Sequence, residues 1–393
     1  MFRSSGAGRT FWAGVLALIV SGTPAVRVAC QEPTKTAGKV PATDFHPEAL
    51  WDGRGMVPFK ALDSPKMIDA GEADFLDDND YVLGATSGGQ SRAYPTRFIW
   101  WHHVINDSIG RSEAGKKQIA VTYCSVCNTG IRYNLQREGG PIKLDFYGLY
   151  NGVVTLCDRK TGSALLQVDG RFVNGPLAGQ TLQPGPVLDT TWGRWKQLHP
   201  DTLVMSPHTD YEKRYSPKDK PEPRGHERFP APFFAPTVTY ADKRLPFFEK
   251  VLGVTVSGTK AIPLYRAYPI KALQQAGPAL NDTLGEQAVA VFFDPETVTA
   301  VSVSRVVEGR TLTFQQQDLA AGKAAIFDKE TGTRWSLEGH GEEGPMKGKE
   351  LTRLDSHLSQ WYGWVAYFPE TSVYGHSGAP EPTSPAEAEK GKP

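Results

Sequence analysis

The chain repeats itself, and nothing else in it limits the fold so strongly. YVLGATSGG at 81–89 returns as KVLGVTVSG at 250–258, and IAVTYC at 119–124 returns as VAVFFD at 289–294. AYP followed by NDSIG (93–95, 106–110) is echoed by AYP followed by NDTLG (267–269, 281–285). CDRKTGS (157–163) becomes FDKETGT (327–333), and WGRWKQLHPDT (192–202) becomes WYGWVAYFPET (361–371). Matches that hold one order and an offset near 170 residues point to a tandem duplication. The first repeat runs from 45 to 206 and the second from 238 to 376.

Each repeat reads as a β-rich α+β domain of about 140–160 residues, a size at which one unit can bury its own core. IAVTYC and VAVFF are β-branched or aromatic runs of strand length with no polar alternation, as expected of strands buried on both faces. KLDFYGLY and GVVTLCD turn at Asn151-Gly152, a hairpin signal, and TGSALLQVDGRFVNG offers two more short strands. Short helices are expected in PTRFIWWHHVIND and in TTWGRWKQLHP, the latter capped by Thr190 or Thr191 and stopped by Pro200. The repeated Trp192 and Trp195 (Trp361 and Trp364 in the second repeat) read as core, and Asp158, Thr161 and Gly162 as a turn. Gly (40) and Pro (30) are plentiful, which suits strands and turns over long helices. The Pro-rich, charged stretch 207–237 reads as a surface linker or wrapping loop. The tail 377–393 lacks large apolar residues and reads as disordered.

The N-terminus has the pattern of an export signal over residues 1–25. Arg3 and Arg9 precede the apolar run Phe11–Val20, which ends in small residues and is too short to span a bilayer. Residues 26–44 form a linker. Cleavage after Ala25 is expected, with a lipid anchor at Cys30 as the alternative. The chain is therefore expected to be periplasmic or secreted, with no transmembrane helix once processed. Lys plus Arg and Asp plus Glu each number 43, so no broad positive field exists to draw nucleic acid. The partner is expected to be a protein or a small molecule.

Cys124-Ser-Val-Cys127 can turn two sulfurs toward one metal ion. With His102 it would make a Cys₂His centre for metal binding or redox chemistry, the fourth ligand coming from His103, Cys157, Asp158, His199 or solvent. Thiolate and imidazole together suit copper or zinc. The second repeat has Asp294 and Thr297 at the cysteine positions and no His between AYP and NDTLG. The fold common to both repeats therefore does not require these Cys and His residues, which marks a single site in the first. Other readings stay open: a structural Cys124–Cys127 disulfide in a non-catalytic scaffold or binding protein, a Cys nucleophile with His102 as its base, or a metal-bound water. His103 also reads as a satisfied polar residue beside Trp100 and Trp101.

AYPTRFIWWHHVIND, VTYCSVCNTG, CDRKTGS, NGPLAGQTL and TTWGRWKQLHPDTLV, spread over residues 80–206, together resemble the bacterial family known as domain of unknown function 3179. The family pattern has a His before I/V-x-Asn-Asp and a Tyr-Cys-Pro-Leu-Cys motif, which fall on His102 and on Cys124 and Cys127. Ser125-Val126 stands here in place of Pro-Leu, and His103 in place of a common acidic residue. The resemblance implies an exported setting and a shared fold, with no reaction attached.

Overall fold

The computed structural model describes residues 45–387, apart from 138, 216–225, 258–262, 319–323 and 386. The expected export segment (1–25), the linker 26–44 and Cys30 lie outside the described residues. The architecture is β-rich α+β, with short helices set at strand ends. Among the described residues no helix is long and apolar enough to cross a membrane.

In the N-terminal half, strands Tyr81–Ser87 and Gln90–Pro95 pair through a two-residue turn, Gly88-Gly89. Both glycines have positive φ (53° and 72°), the backbone that a tight hairpin demands. Pro95 then starts helix α1 (Thr96–His102), which ends at His103 in the left-handed region, φ 56°. Strands Val104–Ile109, Lys117–Cys124 and Thr129–Asn134 form the centre of a second sheet. The hairpin Leu144–Tyr150/Val153–Asp158 turns at Asn151 and Gly152, as their sequence predicts. Helix α2 (Trp192–Leu198) is capped by Thr191, whose side chain accepts from the Arg194 N–H.

The C-terminal half runs through the same kinds of element in the same order. Lys250–Ser257 pairs with Pro263–Pro269, followed by helix α3 (Ile270–Ala276). Strands Ala279–Leu284, Gln287–Asp294 and Thr299–Ser304 make a three-stranded sheet, and helix α4 (Trp361–Val365) closes the half. Matching residues make matching bonds. Asp107 accepts from Arg92 (2.6 Å) and Tyr94 (2.7 Å), and Asp282 accepts from Arg266 (2.5 Å) and Tyr268 (2.8 Å). Trp195 donates to Thr202 and Trp364 to Thr371. The side chains of Asp158 and Asp328 each accept from the backbone and hydroxyl of the Thr three residues on.

Asn106 spans a strand edge: its amide donates to the Leu144 carbonyl and its oxygen accepts from the Leu144 N–H, both at 2.9 Å. Asn281 does the same with Phe314. Asn106→Ala leaves both backbone groups of a buried residue unpaired and is expected to lower the unfolding free energy by about 2 kcal/mol. Urea denaturation measures this. A change below about 0.5 kcal/mol would mean that water replaces the amide at no cost.

The halves interlock. One hydrophobic core joins Cys124, Cys127, Ile131 and Leu156 of the N-terminal half to Trp361, Tyr362 and Trp364 of the C-terminal half. Another joins Trp192 and Trp195 to Ala290, Phe292, Val301 and Val303. Hydroxyl contacts across the joint are reciprocal: Thr129 donates to Ser359 (2.9 Å) and Thr299 to Thr190 (2.7 Å).

From the connecting stretch, Phe229 packs edge-on against Tyr362, with centroids 5.0 Å apart, so that part wraps onto the core. The tail departs from the expected disorder in its described part. Pro382–Thr383 pairs with Ala241–Asp242, and the Glu381 N–H donates to Asp242. Asp242 is already fixed by Arg244, so a rigid buried carboxylate anchors a segment whose own composition gives it no core.

Candidate functional site

Strand Lys117–Cys124 ends on Cys124, the chain turns through Ser125, Val126, Cys127 and Asn128, and the next strand begins at Thr129, which pairs with Cys124. Asn128 takes a positive φ of 52° to close the turn, a conformation that Asn tolerates. Its side-chain oxygen accepts from the Tyr123 hydroxyl at 3.0 Å. The turn carries both sulfurs into the shared core, where Cys124 is 1% and Cys127 0% exposed.

Cys124 and Cys127 are free thiols. Cys157, one of the expected fourth ligands, is instead disulfide-bonded. Burial pushes the Cys124 thiol up. Hydrogen bonds from the Cys127 side chain and from the backbone N–H groups of Cys127, Val154 and Val126 more than offset it, so the thiol ends below its ordinary range. Burial, the hydrogen bond to Cys124 and the charge on that sulfur push Cys127 well above its own. Two adjacent buried sulfurs cannot both ionise. Of the two, Cys124 is therefore the sulfur that ionises first, while Cys127 keeps its proton and donates it to Thr129 Oγ1 at 3.1 Å.

The histidines are placed differently. His102 Nδ1 donates to the Lys60 carbonyl at 2.7 Å, and Nε2 is 2.9 Å from the Tyr215 hydroxyl. With Nδ1 protonated, Nε2 accepts from Tyr215, so both ring nitrogens are engaged. Burial lowers its pKa. His103 donates through Nδ1 to the Tyr123 carbonyl at 2.8 Å and stacks on Phe146. Burial pushes it down to about 4. His199 contacts Glu338 (2.8 Å) and Ser91 (3.1 Å), and Asp158 closes its own turn. Among the described residues, no group of three or more His, Cys, Asp or Glu side chains is placed to hold a metal ion.

The cover over the two sulfurs comes from the C-terminal half. The Cys127 carbonyl accepts from the Gln360 N–H at 3.0 Å, and Thr129 reaches Ser359. A β-carbon on Gly363 would lie 3.1 Å from Ser359 Oγ and 3.2 Å from both Cys127 Cβ and Val153 Cγ2, so α4 packs tightly on the thiol turn here. Tyr362 is held high by burial and then by the charge of the Cys127 and Cys124 sulfurs beside it. Tyr362 and Gly363 were not anticipated as site residues. Their signal lay in the repeat alignment, where the N-terminal half has Gly193 and Arg194 at the matching positions. Arg194 pairs with Asp294 at 3.1 Å, so the mirror-image joint is ionic where this one holds sulfur.

Residues 57–371 match the family described as Protein of unknown function (DUF3179). The chain belongs to that family. No curated protein and no solved structure matches it. The matched span is wider than the motif-bearing stretch 80–206 and ends past α4, so the family's unit includes both the Cys turn and its cover.

Proposed function

We propose that this protein works through the Cys124–Cys127 pair as a buried redox-active dithiol, cycling between two thiols and a disulfide. The observation that carries this reading is a pair of free thiols buried in one turn, the acidity of Cys124 raised by hydrogen bonds while Cys127 is driven the other way. A purely apolar site would raise both thiols. A more acidic sulfur next to one that keeps its proton suits the reduced half of a dithiol couple. The exported setting read from residues 1–25 supplies an oxidising compartment for it. The recurring sequence pattern supports the same assignment. The halves repeat the Asp–Arg–Tyr, Asn-edge and Trp–Thr bonds, so the residues found in one half alone are those the fold does not need.

The test is a free-thiol count after incubation to equilibrium in glutathione buffers of graded poise. Two thiols should disappear together as one two-electron step, and Cys124→Ser and Cys127→Ser should each remove the step. Persistence of both thiols at the most oxidising poise overturns the reading. So does a step that survives either substitution.

A second reading has its own observation. Two sulfurs with no third His, Cys, Asp or Glu grouped with them among the described residues suit a soft monovalent ion such as Cu(I), since thiolates select it, whereas zinc prefers four ligands. Competition with a Cu(I) chelator decides this: one ion bound per chain, lost in Cys124→Ser, supports it, and no uptake rejects it.

A further inference from the structure

The joint opposite the cysteine turn carries a chain of polar side chains that takes no part in the thiol chemistry. His199 caps the end of α2, its ring against Trp195 with centroids 4.0 Å apart. Its Nδ1 is 3.1 Å from Ser91 Oγ on strand Gln90–Pro95. Its Nε2 is 2.8 Å from Glu338 Oε2, which comes from the C-terminal half. The other oxygen of Glu338 accepts from Arg353 at 3.4 Å. The His199 and Glu338 side chains are 16% and 10% exposed, whereas Ser91 keeps part of its surface open to solvent.

These contacts fix the role of each group. A carboxylate beside Nε2 holds the ring proton there, which leaves the lone pair of Nδ1 for the Ser91 hydroxyl. Burial raises the Glu338 carboxyl, but His199 and Arg353 more than offset it, so Glu338 stays ionised at neutral pH. The Nε2–H is not aligned on the carboxylate oxygen, as is common before substrate binds. In the C-terminal half the positions matching Ser91 and His199 are Tyr265 and Phe368, whose rings stack at 4.4 Å. The two positions therefore meet in both halves, and an aromatic pair is enough to pack them. A hydroxyl on an imidazole is a choice made in one half alone. Arg111, 64% exposed, reaches Asp201 at 3.8 Å, and a β-carbon on Gly89 would lie 3.9 Å from its Cδ. Asp201 is two residues past His199 and Gly89 two before Ser91, so a cation stands at the same mouth.

We infer that Ser91, His199 and Glu338 form a hydrolytic site that cleaves carboxylic esters by acyl transfer through Ser91. Ser91 Oγ bonds to the acyl carbon as its proton passes to His199 Nδ1. The C–O bond to the alcohol breaks, and the leaving alkoxide takes that proton. A water, giving its proton to Nδ1, then hydrolyses the acyl-Ser91 ester, which releases the acid and restores the hydroxyl. Glu338 is a positioning residue, and Arg111 offers positive charge to the acyl oxygen as it becomes negative.

The native full-length chain is treated with a fluorophosphonate probe, which phosphonylates nucleophilic serines, and the modified residue is read by peptide mass. A label on Ser91 is expected, together with turnover of p-nitrophenyl acetate. Ser91→Ala should lose both. His199→Gln should slow labelling by at least about 100-fold, the usual share of a general base. Arg111→Ala, a change at the surface that leaves the buried chain intact, should slow ester turnover. Absence of a label on the native chain, a label that persists in Ser91→Ala, or rates unaltered in both His199→Gln and Arg111→Ala overturns the inference. The thiol step of the redox reading is measured on other residues and stands or falls separately.

Discussion

Gly253→Ala is expected to lower the unfolding free energy by about 3 kcal/mol, among the larger losses a single methyl group produces. A β-carbon at Gly253 would overlap the six-membered ring of Trp364, and one at Gly84 would overlap that of Trp195 in the same way. Both indoles are fully buried and pinned through their N–H groups to Thr371 and Thr202. The rings therefore cannot slide aside without breaking a buried hydrogen bond. Gly253 lies between Ala267 and His357 in its sheet, so the strand cannot retreat either. Gly84→Ala should cost a similar amount, because the same packing recurs in the other half. Urea unfolding of the two variants measures this. A cost below about 1 kcal/mol for either would mean that the indole has a second place to go.

The same glycines show how much of the molecule was legible in its sequence. Residues that recur at a fixed offset pointed to the Trp pairs and the Asp turns, while apolar runs and the Thr191 cap signal pointed to the strands and to α2. Comparison of the repeats also separated Cys124 and Cys127 from the fold. Its power ended where contacts leave the repeated unit. The partners of His102 are the Lys60 carbonyl and Tyr215, 42 and 113 residues away, and no local pattern predicts a side chain satisfied at such separation. Two His and two Cys in a short stretch suggest a common centre by type alone. Backbone direction decides otherwise, because α1 ends at His103 in a left-handed turn that seats its ring on Phe146 and Phe59. The cover over the sulfurs was hidden for a related reason. Tyr362 and Gly363 come from the other half, and repeat alignment compares equivalent positions without saying which of them face each other.

His103 should make this protein sensitive to acid in a way that its other buried groups partly mask. The residue is 6% exposed, with Phe59 and Phe146 around its ring, and burial, more than the neighbouring His102, holds its pKa at about 4. An imidazole in the unfolded chain titrates near 6.5. As pH falls below that value the unfolded state takes up a proton that the folded state refuses, so stability is lost between pH 6.5 and about 4, by about 3 kcal/mol in all. His357, also held near 4 by burial, adds a loss of the same sign. Asp189 opposes both. Burial raises its carboxyl to about 6, so the folded state protonates first and gains stability as pH falls from about 6 toward the ordinary carboxylate range. The net acid limb therefore hides the His103 contribution, and a variant isolates it. Asn accepts the left-handed backbone at this position, its amide can donate to the Tyr123 carbonyl, and it does not titrate. Between pH 7 and pH 4 the parent should lose about 3 kcal/mol more than His103→Asn, read from urea unfolding at each pH. Parallel acid limbs in the two proteins would mean that the imidazole takes up its proton in the folded state, which a ring sealed between two phenyl groups cannot do without opening the α1 turn.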